Sequence, residues 1–199
     1  MILGPKELLK LVKKIRLVEN LSERELTSPE GAGFDLRLGE VYKISGDAFL
    51  GEVHRKTAEI QLIAKYNKKH EVVNQLHTKH NDRGNKREAK SPTIVIKPGD
   101  FFLVKTIESV NMPSDLTASI TPRSTTYRSG LFIRTGNVPP GYCGGLIFGL
   151  KNEGPVPVTI EMGARIVHIQ FSEVKGGGSM YRGQWQGGRV TARKKEKQL

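Results

Sequence analysis

Gly31-Ala32-Gly33-Phe34-Asp35-Leu36-Arg37-Leu38-Gly39 reads as a strand with one buried face. Phe34, Leu36 and Leu38 alternate with Asp35 and Arg37, and a period of two puts the three apolar side chains on one side of a sheet. Gly31 and Gly33 leave room for positive φ or close backbone approach just ahead of it. Working outward, residues 41–44 continue the sheet and residues 58–63 alternate again. Thr93 to Ile96 runs into the turn Lys97-Pro98-Gly99-Asp100, and Phe101 to Thr106 follows as the next strand. Residues 116–120, 131–133, 145–150, 156–160 and 165–171 repeat the theme. Short strands at roughly ten-residue spacing, punctuated by turns such as G-N-V-P-P-G at 136–141, predict an all-β sandwich or barrel. Ahead of them, P-K-E-L-L-K-L-V-K-K at 5–14 predicts a short N-terminal helix. Pro5 suits its first turn, and Leu8, Leu9, Leu11 and Val12 form its stripe.

The composition agrees with a turn-rich β protein: 199 residues contain 22 Gly and 10 Pro. The length suits one domain with appendages, read as a β domain over 1–174 and a flexible arm with a basic tail over 175–199. No apolar run approaches a membrane span, and the N-terminus lacks a signal-like apolar region, so a soluble, cytoplasmic protein is expected. The single cysteine, Cys143, leaves no intrachain disulfide and no multi-cysteine zinc site. It reads as a small packed residue rather than a nucleophile.

The net charge is +12, and two segments supply most of it. Residues 65–92, read as a basic insertion, hold eight Lys/Arg against three Asp/Glu; residues 189–199 hold five against one. Both could touch nucleic acid or another polyanion, but no stacking platform or groove reader accompanies them, and solvated charge is the favoured reading. His70, His77 and His80 in the insertion lack a supporting ligand pattern, so a flexible loop accounts for them better than a metal.

Pro122-Arg123-Ser124-Thr125-Thr126-Tyr127-Arg128-Ser129-Gly130 holds two guanidiniums, several hydroxyls and no carboxylate. Planar guanidinium forks and short hydroxyl donors suit phosphate oxygens, while the plainer alternative is a polar β-turn with exposed arginines. Tyr181 to Thr191 holds the only Trp, two arginines, two amides and three glycines. Such an arm could close over a nucleotide or pack on its own or a neighbouring subunit; the closing arm is favoured.

In this order, G-A-G-F-D-L-R-L-G at 31–39, P-R-S-T-T-Y-R-S-G at 122–130, N-V-P-P-G-Y-C-G at 137–144, N-E-G-P-V-P-V at 152–158, G-A-R-I-V-H-I-Q-F at 163–171 and Y-R-G-Q-W-Q-G-G-R-V-T at 181–191 resemble the dCTP deaminase/dUTPase superfamily. The resemblance implies a distorted jelly-roll β-barrel, a homotrimer with sites between subunits, and magnesium (Mg2+) carried by the triphosphate rather than by a protein ligand set. It implies that Arg123, Ser124, Thr125 and Arg128 hold phosphates. It also implies that residues from Asn137 to Tyr142 form the base and sugar pocket, with Tyr142 under the sugar, and that Gln184 and Trp185 cover the ligand. Asp35 matches the aspartate near the metal-bound phosphates.

The chemistry departs from the family at two positions. The aspartate that a dUTPase uses to activate water aligns with Pro139, and the glutamate of a deaminase aligns with Gly149. From Leu116 to Asn152 there is no Asp or Glu. The nearest carboxylates in sequence are Asp35, Asp115 and Glu153. The leading expectation is a dUTP diphosphatase, forming dUMP and pyrophosphate from dUTP and water. The alternatives are a dCTP deaminase and a catalytically silent deoxynucleotide-binding or regulatory trimer.

Overall fold

The computed structural model describes residues 1–67, 92–191 and 196–197. Most of the basic insertion, with His70, His77 and His80, lies outside the described residues. The N-terminal helix forms as α1 (Pro5–Ile15), ending at Arg16 in the left-handed region, with Leu8 buried. A short β1 (Val18–Glu19) and a one-turn α2 (Glu23–Thr27) follow.

The strands are β2 (Phe34–Ser45), β3 (Phe49–Leu50), β4 (His54–Lys56), β5 (Glu59–Lys65), β6 (Thr93–Ile96), β7 (Phe101–Asn111) and β8 (Leu116–Pro122). After α3 (Ser124–Arg128) come β9 (Leu131–Arg134), β10 (Cys143–Asn152), β11 (Val158–Glu161), β12 (Arg165–Glu173) and β13 (Glu196–Lys197). The main sheet runs β8-β12-β2-β7-β10-β9, with β1 added to β7 and β5 to β2. Beyond β9 the chain bonds back to β8, through the Ala118–Val138 bridge and Thr135 Oγ1 to the Ile120 carbonyl. That return makes the sheet nearly a closed barrel, which leaves few free edges. Phe34, Leu36, Leu38, Val104, Val110, Leu150, Ile169 and Phe171 fill its core. Among the described residues no helix is long and apolar enough to cross a membrane.

Two sequence expectations change. The stretch 31–39 was expected to bury one face, yet Asp35 and Arg37 are buried as well. Each meets an opposite charge from a distant strand: Arg37 Nε donates to Glu108 Oε1 at 2.7 Å, and its backbone N–H donates to Glu108 Oε2 at 2.8 Å. Paired charges can be buried where unpaired ones cannot. Burial pushes the Glu108 carboxyl up, against the bonds from Arg37. The second change is local. The hydroxyl-rich stretch 122–130 is a five-residue helix rather than a turn, pinned by Thr126 Oγ1, which donates to the Ile166 carbonyl at 3.1 Å. Gly130, at φ 84, closes it in the left-handed region.

Candidate functional site

The candidate residues fall into two groups on this chain. The first surrounds Asp35. A bulge in β12 between Arg165 and Val167 lets both Arg165 and His168 reach it from the neighbouring strand. Arg165 donates to Asp35 Oδ2 at 2.9 Å, and His168 Nδ1 lies 3.0 Å from Oδ1. Arg123, just ahead of α3, pairs with Asp35 Oδ2. Arg24 reaches the same oxygen at 3.7 Å and pairs with buried Glu25, whose other oxygen accepts the Asp35 N–H at 3.1 Å. Burial lowers the His168 pKa, with Arg123 acting in the same direction and Glu25 and Glu30 opposing it. Burial also lowers that of Arg123, helped by Arg165.

Sequence reasoning named Asp35 and Arg123 but missed Arg24, Glu25 and Arg165. Nothing in a local window marks them, because strand pairing and the α2 turn bring them together. His168 also escapes a local reading, since its Nδ1 meets Asp35 only through strand pairing. Ser124, Thr125 and Arg128 sit on α3 beside this cluster, and the Thr125 carbonyl accepts from Ser129 Oγ at 2.9 Å.

The second group lines a cavity of about 750 Å³. Ile44, Ile60, Phe101, Leu103 and Ile147 face it from sheet positions. Asn137, Val138 and Pro139 border it from the connection after β9, and Trp185, Arg189 and Val190 from the arm. The walls are overwhelmingly apolar. Among the described residues, Arg189 is the one charged residue in the wall, and no carboxylate lines it. Tyr142 is spoken for: it is 8% exposed, its hydroxyl donates to the Gly145 carbonyl at 2.8 Å, and its ring meets Tyr181 edge-on at 5.4 Å. Burial raises its phenol to about 12.

The arm closes on its own chain. The Tyr181 N–H donates to the Pro140 carbonyl and the Gly187 N–H to the Cys143 carbonyl, each at 2.7 Å. Gln186 Oε1 accepts the Cys143 N–H at 3.2 Å while its Nε2 donates to the Gly141 carbonyl at 2.9 Å. Gly144 and Gly188 touch backbone to backbone, a contact that any side chain would block. Gln184 lies outside the cavity wall, and its buried Nε2 has no partner.

The two groups meet along β8. Asn137 Oδ1 lies 3.5 Å from Ser119 Oγ, and Arg123 follows four residues later on the same run. At strand rise that separation is roughly 13 Å.

The positions where a catalytic carboxylate was expected are closed in different ways. Pro139 lines the cavity without a polar side chain. At Gly149 a Cβ would sit 2.9 Å from Phe101 Cζ and 3.1 Å from Phe101 Cε2. The ring of Phe101, which comes diagonally across from β7, occupies the space a glutamate would leave by. Asp115 and Glu153 are exposed and outside the cavity wall. The Glu153 N–H donates to the Gly130 carbonyl at 2.9 Å, beside the end of α3. Among the described residues, no group of three His, Cys, Asp or Glu could hold a metal ion.

A family model described as dCTP deaminase-like matches residues 2–174. A dCTP deaminase from Pyrobaculum islandicum is 32% identical over 190 residues, covering 95% of this chain and 93% of that protein. A dUMP-forming dCTP deaminase from Dictyoglomus thermophilum is 28% identical over 176 residues, covering 86% of this chain and 79% of that protein. Among solved structures, the 2'-deoxycytidine 5'-triphosphate deaminase from Agrobacterium tumefaciens superposes with a TM-score of 0.58 at 21% identity, over 87% of this chain and 49% of that one. The chain thus spans about half the length of that structure.

Proposed function

The chain belongs to the dCTP deaminase-like family, and on that footing we propose that it binds a pyrimidine deoxynucleoside triphosphate without turning it over by the family's usual carboxylate chemistry. One observation carries the reading: among the described residues the cavity wall holds Asn137 and Trp185 but no carboxylate, and the Phe101 ring lies against the space beside Gly149. Both water activation for phosphoryl transfer and proton shuttling at a base need an acid or base within hydrogen-bond reach of the reacting atoms.

Arg123, Ser124, Thr125 and Arg128 would take the phosphates through charge-assisted hydrogen bonds. These donors are guanidinium and hydroxyl groups, which suit phosphate oxygens and not a cation. Asp35 is already held by Arg123, Arg165 and His168. Magnesium would therefore be held by the nucleotide's own oxygens, where it offsets phosphate charge. The homotrimer expected from the resemblance is kept as part of this proposal, with the phosphate group of one copy completing the cavity of the next.

The relatives' names, dCTP deaminase and dUMP-forming dCTP deaminase, favour a second reading, in which dCTP is deaminated; hydrolysis of dUTP to dUMP and pyrophosphate is the other reaction expected from the sequence. It would need Asp35, Asp115 or Glu153 at the reacting atoms; Asp35 pairs with Arg123 at the start of α3, and the Glu153 N–H donates to the Gly130 carbonyl just beyond its end.

Calorimetric titration with dUTP, dCTP, deoxyuridine and tripolyphosphate tests the binding reading. Arg123→Ala should weaken both triphosphates and tripolyphosphate by about tenfold or more, since a hydrogen bond to a charged group contributes about 1.5–3 kcal/mol. Deoxyuridine binding should hold. Equal loss for nucleoside and triphosphate would sink the phosphate role.

A further inference from the structure

The cavity has five aromatic rings in its wall, and they are not equally available. Tyr142 and Phe148 are 8% and 4% exposed, so their faces are already packed. Tyr181 spends an edge contact on Tyr142. Trp185 arrives on the arm. Phe101 alone combines a backbone position on the sheet with an exposed side chain, being 38% exposed. Its seat is made by Gly149: the tip of the ring lies only 2.9 Å from where a Cβ would stand. A side chain at 149 would push the ring aside. Glycine at 149, where the resemblance places a deaminase glutamate, therefore has two consequences. It leaves no acid/base group there and it makes room for an aromatic surface lining the cavity.

We infer that Phe101 is the platform on which the pyrimidine base lies, and that Gly149 is the positioning residue that seats its ring. The base is recognised by stacking on a fixed aromatic face, with Trp185 of the arm lining the same cavity, rather than by a carboxylate at its edge. Tyr142, whose faces are taken up, is left to hold the connection at Gly145. This deepens the nucleotide-binding reading and depends on it.

The test is binding of deoxyuridine, dUTP and tripolyphosphate to the full chain, followed by calorimetry and by Trp185 fluorescence. Phe101→Leu keeps the apolar bulk and removes the ring, and it should weaken deoxyuridine and dUTP by about tenfold, within the range found for base–aromatic stacking. Tripolyphosphate binding should be unchanged, which a general loss of structure would not spare. Phe101→Tyr should bind deoxyuridine as the wild type does. Gly149→Ala, which displaces the ring without touching its chemistry, should weaken deoxyuridine in the same direction as Phe101→Leu. If Phe101→Leu binds deoxyuridine as tightly as wild type, the platform assignment is overturned while nucleotide binding stands. If wild-type protein binds neither deoxyuridine nor dUTP, the underlying reading fails, and this assignment with it.

Discussion

Glycine inside a strand ordinarily costs stability, so Gly149→Ala is a substitution whose sign is informative. Replacing a strand glycine by alanine should stabilise by about 0.5–1 kcal/mol through lower unfolded-chain entropy. Gly149 is not among the glycines with positive φ, so backbone strain gives no reason for the opposite outcome. The new methyl, however, would meet Phe101 Cζ at 2.9 Å and Cε2 at 3.1 Å, well inside the roughly 3.5–4.0 Å of a comfortable carbon–carbon contact. Overpacking of this kind costs about 1–3 kcal/mol. The net expectation is destabilisation of roughly 0.5–2 kcal/mol. In a Phe101→Ala background the obstruction is gone, and the same Gly149→Ala change should stabilise. Urea unfolding of the four proteins closes a double-mutant cycle, with an expected coupling of about 1–3 kcal/mol. A wild-type background in which Gly149→Ala raises stability would refute the claim that the ring fills that space.

Other outcomes follow from the buried charges and phenols. Arg37→Ala leaves Glu108 fully buried and without its guanidinium, at a cost of about 3–5 kcal/mol. Because burial already pushes the Glu108 carboxyl up, the folded variant can take up a proton as pH falls. The penalty measured by urea unfolding should thus be smaller at pH 5 than at pH 8. A pH-independent penalty would contradict that assignment. The Tyr142 phenol, held up at about 12 by burial, binds its proton more tightly in the folded than in the unfolded chain. Its contribution is intact below the unfolded value near 10 and is lost as pH rises through 12, so Tyr142→Phe should lose less of its neutral stability at alkaline pH than the wild type does. Burial and Glu40 raise the Tyr42 phenol as well, so ultraviolet titration should show one late phenol fewer in this variant than in the wild type; a wild-type curve in which every tyrosine ionises together near 10 would contradict it.

The strands were legible because alternation is local. Phe34, Leu36 and Leu38 announce their own face, and the turn signals at 97–100 and 136–141 sit where β7 begins and where the cavity-lining connection lies. What was hidden depends on pairing between distant positions. The burial of Asp35 rests on Arg165, 130 residues away, and that of Arg37 on Glu108, 71 residues away. No window on the sequence contains both partners. The carboxylate-free stretch around Gly149 was visible as an absence, but its occupant was not. Phe101 sits in an unremarkable apolar run, and only the antiparallel register of β7 against β10 lays its ring over Gly149. The helix at 124–128 was missed for a similar reason. Its hydroxyl-rich sequence suits a turn, and the bond from Thr126 to Ile166 on β12 helps to hold it.

The central claim is that the chain holds a deoxynucleoside triphosphate in a cavity with no acid or base to act on it. The direct measurement is prolonged incubation with dUTP and with dCTP in the presence of magnesium, with products resolved by ion-exchange chromatography alongside a binding titration on the same preparation. The expected result is saturable binding with the nucleotides recovered unchanged. Formation of dUMP from dUTP, or of dUTP or dUMP from dCTP, at a rate that follows protein concentration would contradict the account and return Asp35, Asp115 and Glu153 to consideration as catalytic residues.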